Sequence, residues 1–201
     1  MDGQARTALI SAFDKAPARH VAGVLKNAGW NILGSEGTVK YLKEKAALGA
    51  RDIAEIVGSP ILGHRVVTLS REIHAALLAK ETPEDVAELV RIGIPRIDLV
   101  YVSFYPLEKE VKREGATLES VIEKTDIGGP TLLRSAAKGR RLVICRESEI
   151  DPVLDYVMAP GKLDRDQQFI SWLVSIAEGA VSDYCSISAR YHREHAGSRY
   201  S

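Results

Sequence analysis

Short, continuously apolar runs alternate along the chain with segments whose apolar residues recur every three or four positions. This is the pattern of buried strands joined by helical crossovers in a mainly parallel sheet. Leu9-Ile-Ser-Ala-Phe13 predicts a first strand; Val21, Val24, Leu25 and Ala28, after Pro17 and closed by Gly29, predict an amphipathic helix. Trp30 to Leu33 predicts a second strand, and Gly34-Ser-Glu-Gly-Thr opens a helix running on from Val39. Asp52 to Val57 reads as a third strand, Ile73 to Ala79 as a helix, and Pro83 suits the first turn of another. Ile97 to Phe104 is the clearest central strand, apolar and β-branched apart from Asp98 and Ser103, and it stops at Tyr105-Pro106. Thr117 to Lys124 and the segment opened by Gly128-Gly-Pro-Thr predict helices, and Leu142 to Cys145 a further strand. The fold class is α/β, a mainly parallel sheet flanked by helices.

Beyond Pro160-Gly161 the pattern changes. Phe169, Leu173, Ile176, Ala180, Tyr184 and Ile187 recur at helical spacing, which predicts one long helix with a continuous apolar stripe. The expected organisation is a core over residues 1–160 and a helical extension over 161–201, packed on that core or against another subunit.

Composition narrows the function. In 201 residues, 27 Lys+Arg balance 27 Asp+Glu for a formal net charge of +0. That balance lacks the electrostatic footprint of a dedicated nucleic-acid binder or a polybasic membrane protein, and it favours a small-molecule site. The two cysteines, Cys145 and Cys185, lie far apart and make no disulfide framework, which fits a reducing compartment. Neither a signal-peptide run nor a stretch near the ~20 apolar residues of a membrane span occurs, so a cytoplasmic, soluble protein is expected.

Three segments could carry chemistry. Ser35-Glu36-Gly37-Thr38, between a strand and a helix, brings hydroxyls and unpaired helix N–H groups near Asp14-Lys15 at the end of the first strand, a candidate anion site. Ser35 and Thr38 are equally suited to cap the helix. Asp126-Ile-Gly-Gly-Pro-Thr-Leu-Leu-Arg134-Ser-Ala-Ala-Lys138 sets a carboxylate beside a helix N-terminus, able to bind a substrate amide or simply to cap. On a helix rising ~1.5 Å per residue, Lys138 lies over ten ångströms from Gly129, so one site uses both ends only through a bend or a neighbouring subunit. Arg65-Val-Val-Thr68-Leu-Ser70-Arg71 offers guanidinium and hydroxyl groups for oxyanions. His64, His74, His192 and His195 show no metal-ligand spacing. No Walker loop, dinucleotide fingerprint or nucleophile elbow is present.

Taken in order, these segments resemble the IMP cyclohydrolase domain of the bifunctional AICAR transformylase/IMP cyclohydrolase of purine biosynthesis. The matched stretches are Leu-Ile-Ser-Ala-Phe-Asp-Lys at 9–15, Gly-Ser-Glu-Gly-Thr-Val-Lys at 34–40, Arg-Val-Val-Thr-Leu at 65–69, Ser-Phe-Tyr-Pro-Leu at 103–107 and the run at 126–138. The resemblance extends from residue 7 to residue 195. It implies a free-standing module of methylglyoxal-synthase-like fold, expected to lack the formyl-transfer half. The implied reaction is closure of the pyrimidine ring of a formamido-imidazole carboxamide ribonucleotide to give IMP and water, or its reverse, with no metal or organic cofactor. The resemblance further implies that Lys15, Ser35, Gly37 and Thr38 hold the 5′-phosphate and that Arg65, Thr68, Ser103, Ile127 and Gly128 line base and ribose. Lys138, Tyr105 and Asp126 would be catalytic. The implied partner is a purine or purine-like ribonucleotide, with neither nucleic acid nor membrane, and the expected assembly is a homodimer.

Four segments depart from the family pattern. Val67 stands where the family has a catalytic lysine, with Ser70-Arg71 in place of His-Pro; Phe13 replaces a phosphate-binding serine; Glu36 enters the glycine loop; and Ser103 replaces an asparagine. Two alternatives therefore stand beside ring closure: a diverged enzyme acting on a purine-like analogue in specialised nucleoside metabolism, and a non-catalytic ribonucleotide-binding module. Methylglyoxal synthase activity is disfavoured because the extended motifs follow the cyclohydrolase.

Overall fold

The computed structural model describes residues 5–63, 65–159 and 167–196. Five strands form one parallel sheet: β1 (Thr7–Ala12), β2 (Asn31–Gly34), β3 (Arg51–Asp52), β4 (Leu99–Ser103) and β5 (Leu142–Ile144). Their order across the sheet is β3-β2-β1-β4-β5, with every pairing parallel. The helices are α1 (Lys15–Asn27), α2 (Glu36–Ala46), α3 (Ala54–Val57), α4 (Arg71–Leu78), α5 (Pro83–Ile92), α6 (Leu107–Val111), α7 (Leu118–Lys124), α8 (Gly128–Lys138), α9 (Ile150–Met158) and α10 (Gln167–His195). A short 3₁₀ turn, Glu147–Glu149, precedes α9.

Alternation along the strands explains why the runs are continuously apolar. Ala8, Ile10, Leu99 and Tyr101 pack on one face against Val21 and Leu25 of α1, Leu42 of α2 and Val153 of α9. Leu9, Val100 and Val102 pack on the other against Ile73 and Leu77 of α4 and Leu132 and Leu133 of α8. Both faces are covered, so successive residues at the centre of β1, β4 and β5 are apolar on either side. Helix starts follow local chemistry: Asp14 accepts from Ala16 N–H at 3.1 Å, Ser70 caps α4 and Thr82 caps α5 ahead of Pro83.

Two sequence expectations are corrected. The run Asp52 to Val57 is not a strand: β3 ends at Asp52, whose carboxylate accepts from Ala54 N–H at 2.9 Å and starts α3. At the sheet edge only β2 holds this segment, so the cap wins. The central strand begins at Leu99 rather than Ile97, because buried Asp98 turns its carboxylate to Thr7 N–H at 2.9 Å and to Arg96 Nε at 2.8 Å.

The long C-terminal helix is present and packs on its own chain. Leu173 joins the first core, Ala177 and Ala180 the second, and Tyr184 and Tyr191 a third with Leu107 of α6 and Val121 of α7. The expected boundary between residues 160 and 161 lies outside the described residues. Among the described residues no helix is long and apolar enough to cross a membrane.

Candidate functional site

Chain order reverses direction across the sheet between β1 and β4, and a crevice opens beyond the carboxyl ends of the strands at such a switch point. There the two strands are tied together: Phe13 N–H donates to Ser103 O at 3.2 Å, and Asp14 N–H to Ser103 Oγ at 3.2 Å. Beside this tie lies a cleft of about 640 Å³. It is lined by Ser11 of β1, by Ser35, by Arg65, Val67 and Thr68 ahead of α4, by Thr125 to Gly129 at the start of α8, and by His192 of α10.

Of the residues picked from sequence, Ser35, Arg65, Thr68, Asp126, Ile127 and Gly128 line this one cleft. The Ser35 hydroxyl makes no helix-capping bond; it lies 3.1 Å from Thr38 Oγ1, while the Ser35 carbonyl receives the N–H groups of Thr38 and Val39. Thr38 is only 1% exposed, and its hydroxyl also accepts from Ala12 N–H. It therefore buttresses Ser35 from beneath rather than facing the cleft. Lys15 folds back over the end of β1, its ammonium 3.4 Å from the carbonyls of Ala12 and Phe13. Its stem passes beside Gly37, close enough that a Cβ there would meet Lys15 Cε at 3.7 Å.

Asp126 is the best-organised polar group. Its carboxylate accepts from Gly129 N–H at 3.0 Å and also from Gly128 N–H, so it caps α8 as well as lining the cleft. Burial pushes its carboxyl above the ordinary aspartate value, and those two N–H bonds oppose the push. The backbone donors at this helix start are thus spent on Asp126. The glycines serve close approach: a Cβ on Gly128 would come within 2.6 Å of Thr68 Oγ1, and one on Gly129 within 2.6 Å of Asp126 Oδ2 and 2.9 Å of Phe104 Cδ1.

Beyond Lys15, Gly37 and Thr38, three more expected site residues stand outside the cleft. Ser103 is engaged in tying β1 to β4. Tyr105 packs edge-on against Phe13, with the Lys124 ammonium 5.0 Å from its ring centroid. Lys138 is exposed at the opposite end of α8, a continuous helix in which ten residues at ~1.5 Å span about 15 Å, so its own chain cannot bring it to Asp126. Conversely, His192 lines the cleft although no motif marks it; only the length of α10 and its packing on α6 and α7 carry it there.

The remaining candidates have ordinary roles. Arg134 pairs with Glu178 at 2.8 Å and Arg71 with Glu72 at 3.2 Å. His74 Nδ1 lies 2.8 Å from Ser135 Oγ, and burial lowers the imidazole pKa. Cys145 and Cys185 are free thiols; burial pushes that of Cys145 up to about 12, which removes its nucleophilicity. His64 lies outside the described residues. No group of three or more His, Cys, Asp or Glu among the described residues is placed to hold a metal ion.

The family model for the MGS-like domain matches residues 19–131, more than half of the chain, from within α1 to within α8. The chain belongs to the MGS-like domain family. It is also similar to a solved crystal structure of ForH, with 31% sequence identity and a TM-score of 0.79 over 94% of this chain and 100% of that one. That likeness extends past the matched domain into the C-terminal helix. The parallel sheet and its flanking helices are thus those of an MGS-like protein, as the family resemblance implied.

Proposed function

We propose that the cleft binds a purine or purine-like ribonucleotide and closes its six-membered ring by cyclohydrolase chemistry. What supports the reading is the convergence on one cleft of Ser35, Arg65, Thr68, Asp126, Ile127 and Gly128, drawn from three separate segments. The carboxamide nitrogen attacks the formyl carbon, one amide proton passes to the formyl oxygen, and the resulting hydroxyl leaves as water with the proton of the formamido nitrogen. An amide nitrogen is a poor nucleophile, so a base close to it matters most. Asp126, half-buried and held against the helix start, suits that role. Juxtaposing amide and formyl groups lowers the barrier by a further ~7–11 kcal/mol.

By the resemblance, Ser35 and Lys15 would hold the phosphate and Arg65 and Thr68 the ribose and base; of these, Ser35, Arg65 and Thr68 line the cleft. Lys138 takes part only if a second copy of the chain brings it to the cleft, which makes the homodimer part of this proposal. A second reading, a diverged enzyme acting on a purine-like analogue, draws on the aliphatic Val67 at the cleft position that resembles the family's lysine and on the exposed Glu36 that opens α2.

Thermal shift and calorimetry with IMP, AMP and XMP test the binding half. Binding that is lost in Ser35→Ala and Thr68→Ala variants supports the cleft; binding unaffected by either overturns it.

A further inference from the structure

Asp126 sits in the short break between α7 and α8, where its backbone N–H has no helical acceptor. That N–H donates instead to the hydroxyl of Tyr184 at 2.7 Å. Tyr184 comes from α10, beyond the residues matched by the family model, and is buried. Its ring packs on Phe104 with centroids 4.9 Å apart. Phe104 in turn forms the surface on which Gly129 rests, leaving no space there for a Cβ. One side chain therefore fixes Asp126 through its oxygen and the floor beneath Gly129 through its ring.

We propose that Tyr184 is a positioning residue for Asp126, and that α10 is in this way part of the reacting site. Its catalytic consequence rests on the ring-closure reading above; its structural consequence does not. An amide N–H left without an acceptor at this break lets the turn from Thr125 to Gly128 shift. A displacement of about 1 Å at a reacting group costs on the order of 100-fold in rate while leaving contacts to the rest of the ligand in place.

The test is Tyr184→Phe, which keeps the ring on Phe104 and removes the acceptor. The expected result is a kcat lower by about 10- to 100-fold with IMP affinity held within about threefold. Amide hydrogen exchange at Gly128 and Gly129 should also be about tenfold faster, with Tm lowered by no more than the few degrees that one lost hydrogen bond costs. Unchanged exchange overturns the proposal, as does a parallel loss of IMP binding and Tm, which marks general damage. If the unaltered chain performs no ring closure, the functional reading fails while the exchange rates still decide the role of Tyr184. Should Tyr184→Phe not fold, a ring-fluorinated tyrosine at 184 keeps the oxygen but weakens its acceptance and gives the same readouts in graded form.

Discussion

Phe13 stands edge-on to Tyr105, ring centroids 5.0 Å apart and planes at 75°, where β1 and β4 are tied together. The ring is 52% exposed at the end of β1, beside Lys15, where the resemblance calls for a phosphate-binding serine. Phe13→Ser should tighten IMP binding about tenfold and leave inosine binding unchanged, the size of one hydrogen bond to a charged group. Calorimetry with both ligands checks this. Equal effects on IMP and inosine would mean that position 13 does not face phosphate.

Burial raises the Asp126 carboxyl, so the folded chain holds that proton more tightly than the unfolded chain does. The stability this group contributes is full below the unfolded value of about 3.9 and is lost as pH rises through the folded value. At neutral pH the half-buried charge is therefore a cost, which an amide avoids while its one acceptor oxygen keeps the bond from Gly129 N–H and gives up that from Gly128 N–H. Asp126→Asn should raise Tm at pH 7 by about 2–4 °C, lose that advantage in acid, and lower turnover at least ~100-fold. Thermal melts across pH read the first part and steady-state kinetics the second.

Gly129 is enclosed by Asp126 Oδ2, Phe104 Cδ1 and Val102 Cγ1, at 2.6, 2.9 and 3.1 Å from an ideal Cβ. Gly129→Ala should cost about 1–3 kcal/mol in urea unfolding, because Phe104 and Val102 are packed side chains that cannot both retreat. The same change should weaken turnover by displacing Asp126. A variant as stable and active as the parent would mean that this corner is looser than its geometry.

Lys138 and Asp126 occupy opposite ends of α8. If a second copy supplies Lys138, neither Lys138→Ala nor Asp126→Asn alone turns over substrate, yet a refolded mixture of the two regains about a quarter of the parental rate, one intact site in half of the dimers. Lys138→Ala should keep IMP binding in the same calorimetric measurement. Absence of complementation, with both variants folded and dimeric, removes Lys138 from the shared site.

The sheet was legible because its strands are buried on both faces: Leu9 and Ile10 are apolar for opposite reasons, one toward α8 and the other toward α1. The run Asp52 to Val57 misled because six residues of mixed apolar and charged character suit either element, and a single capping bond from Asp52 decided it. At the site, residues local to strand ends and helix starts could be read from sequence; contacts set by tertiary packing could not. His192 and Tyr184 reach the cleft region only through the course of α10, and Thr38 and Ser103 have their hydroxyls taken by the backbone N–H groups of Ala12 and Asp14, which no spacing reveals.

The most direct test is to incubate the purified chain with the formylated aminoimidazole carboxamide ribonucleotide and follow the rise of purine absorbance. A purine band that forms with the unaltered protein and is absent with Asp126→Asn is the expected result. No band with a folded, IMP-binding protein would contradict ring closure of this substrate.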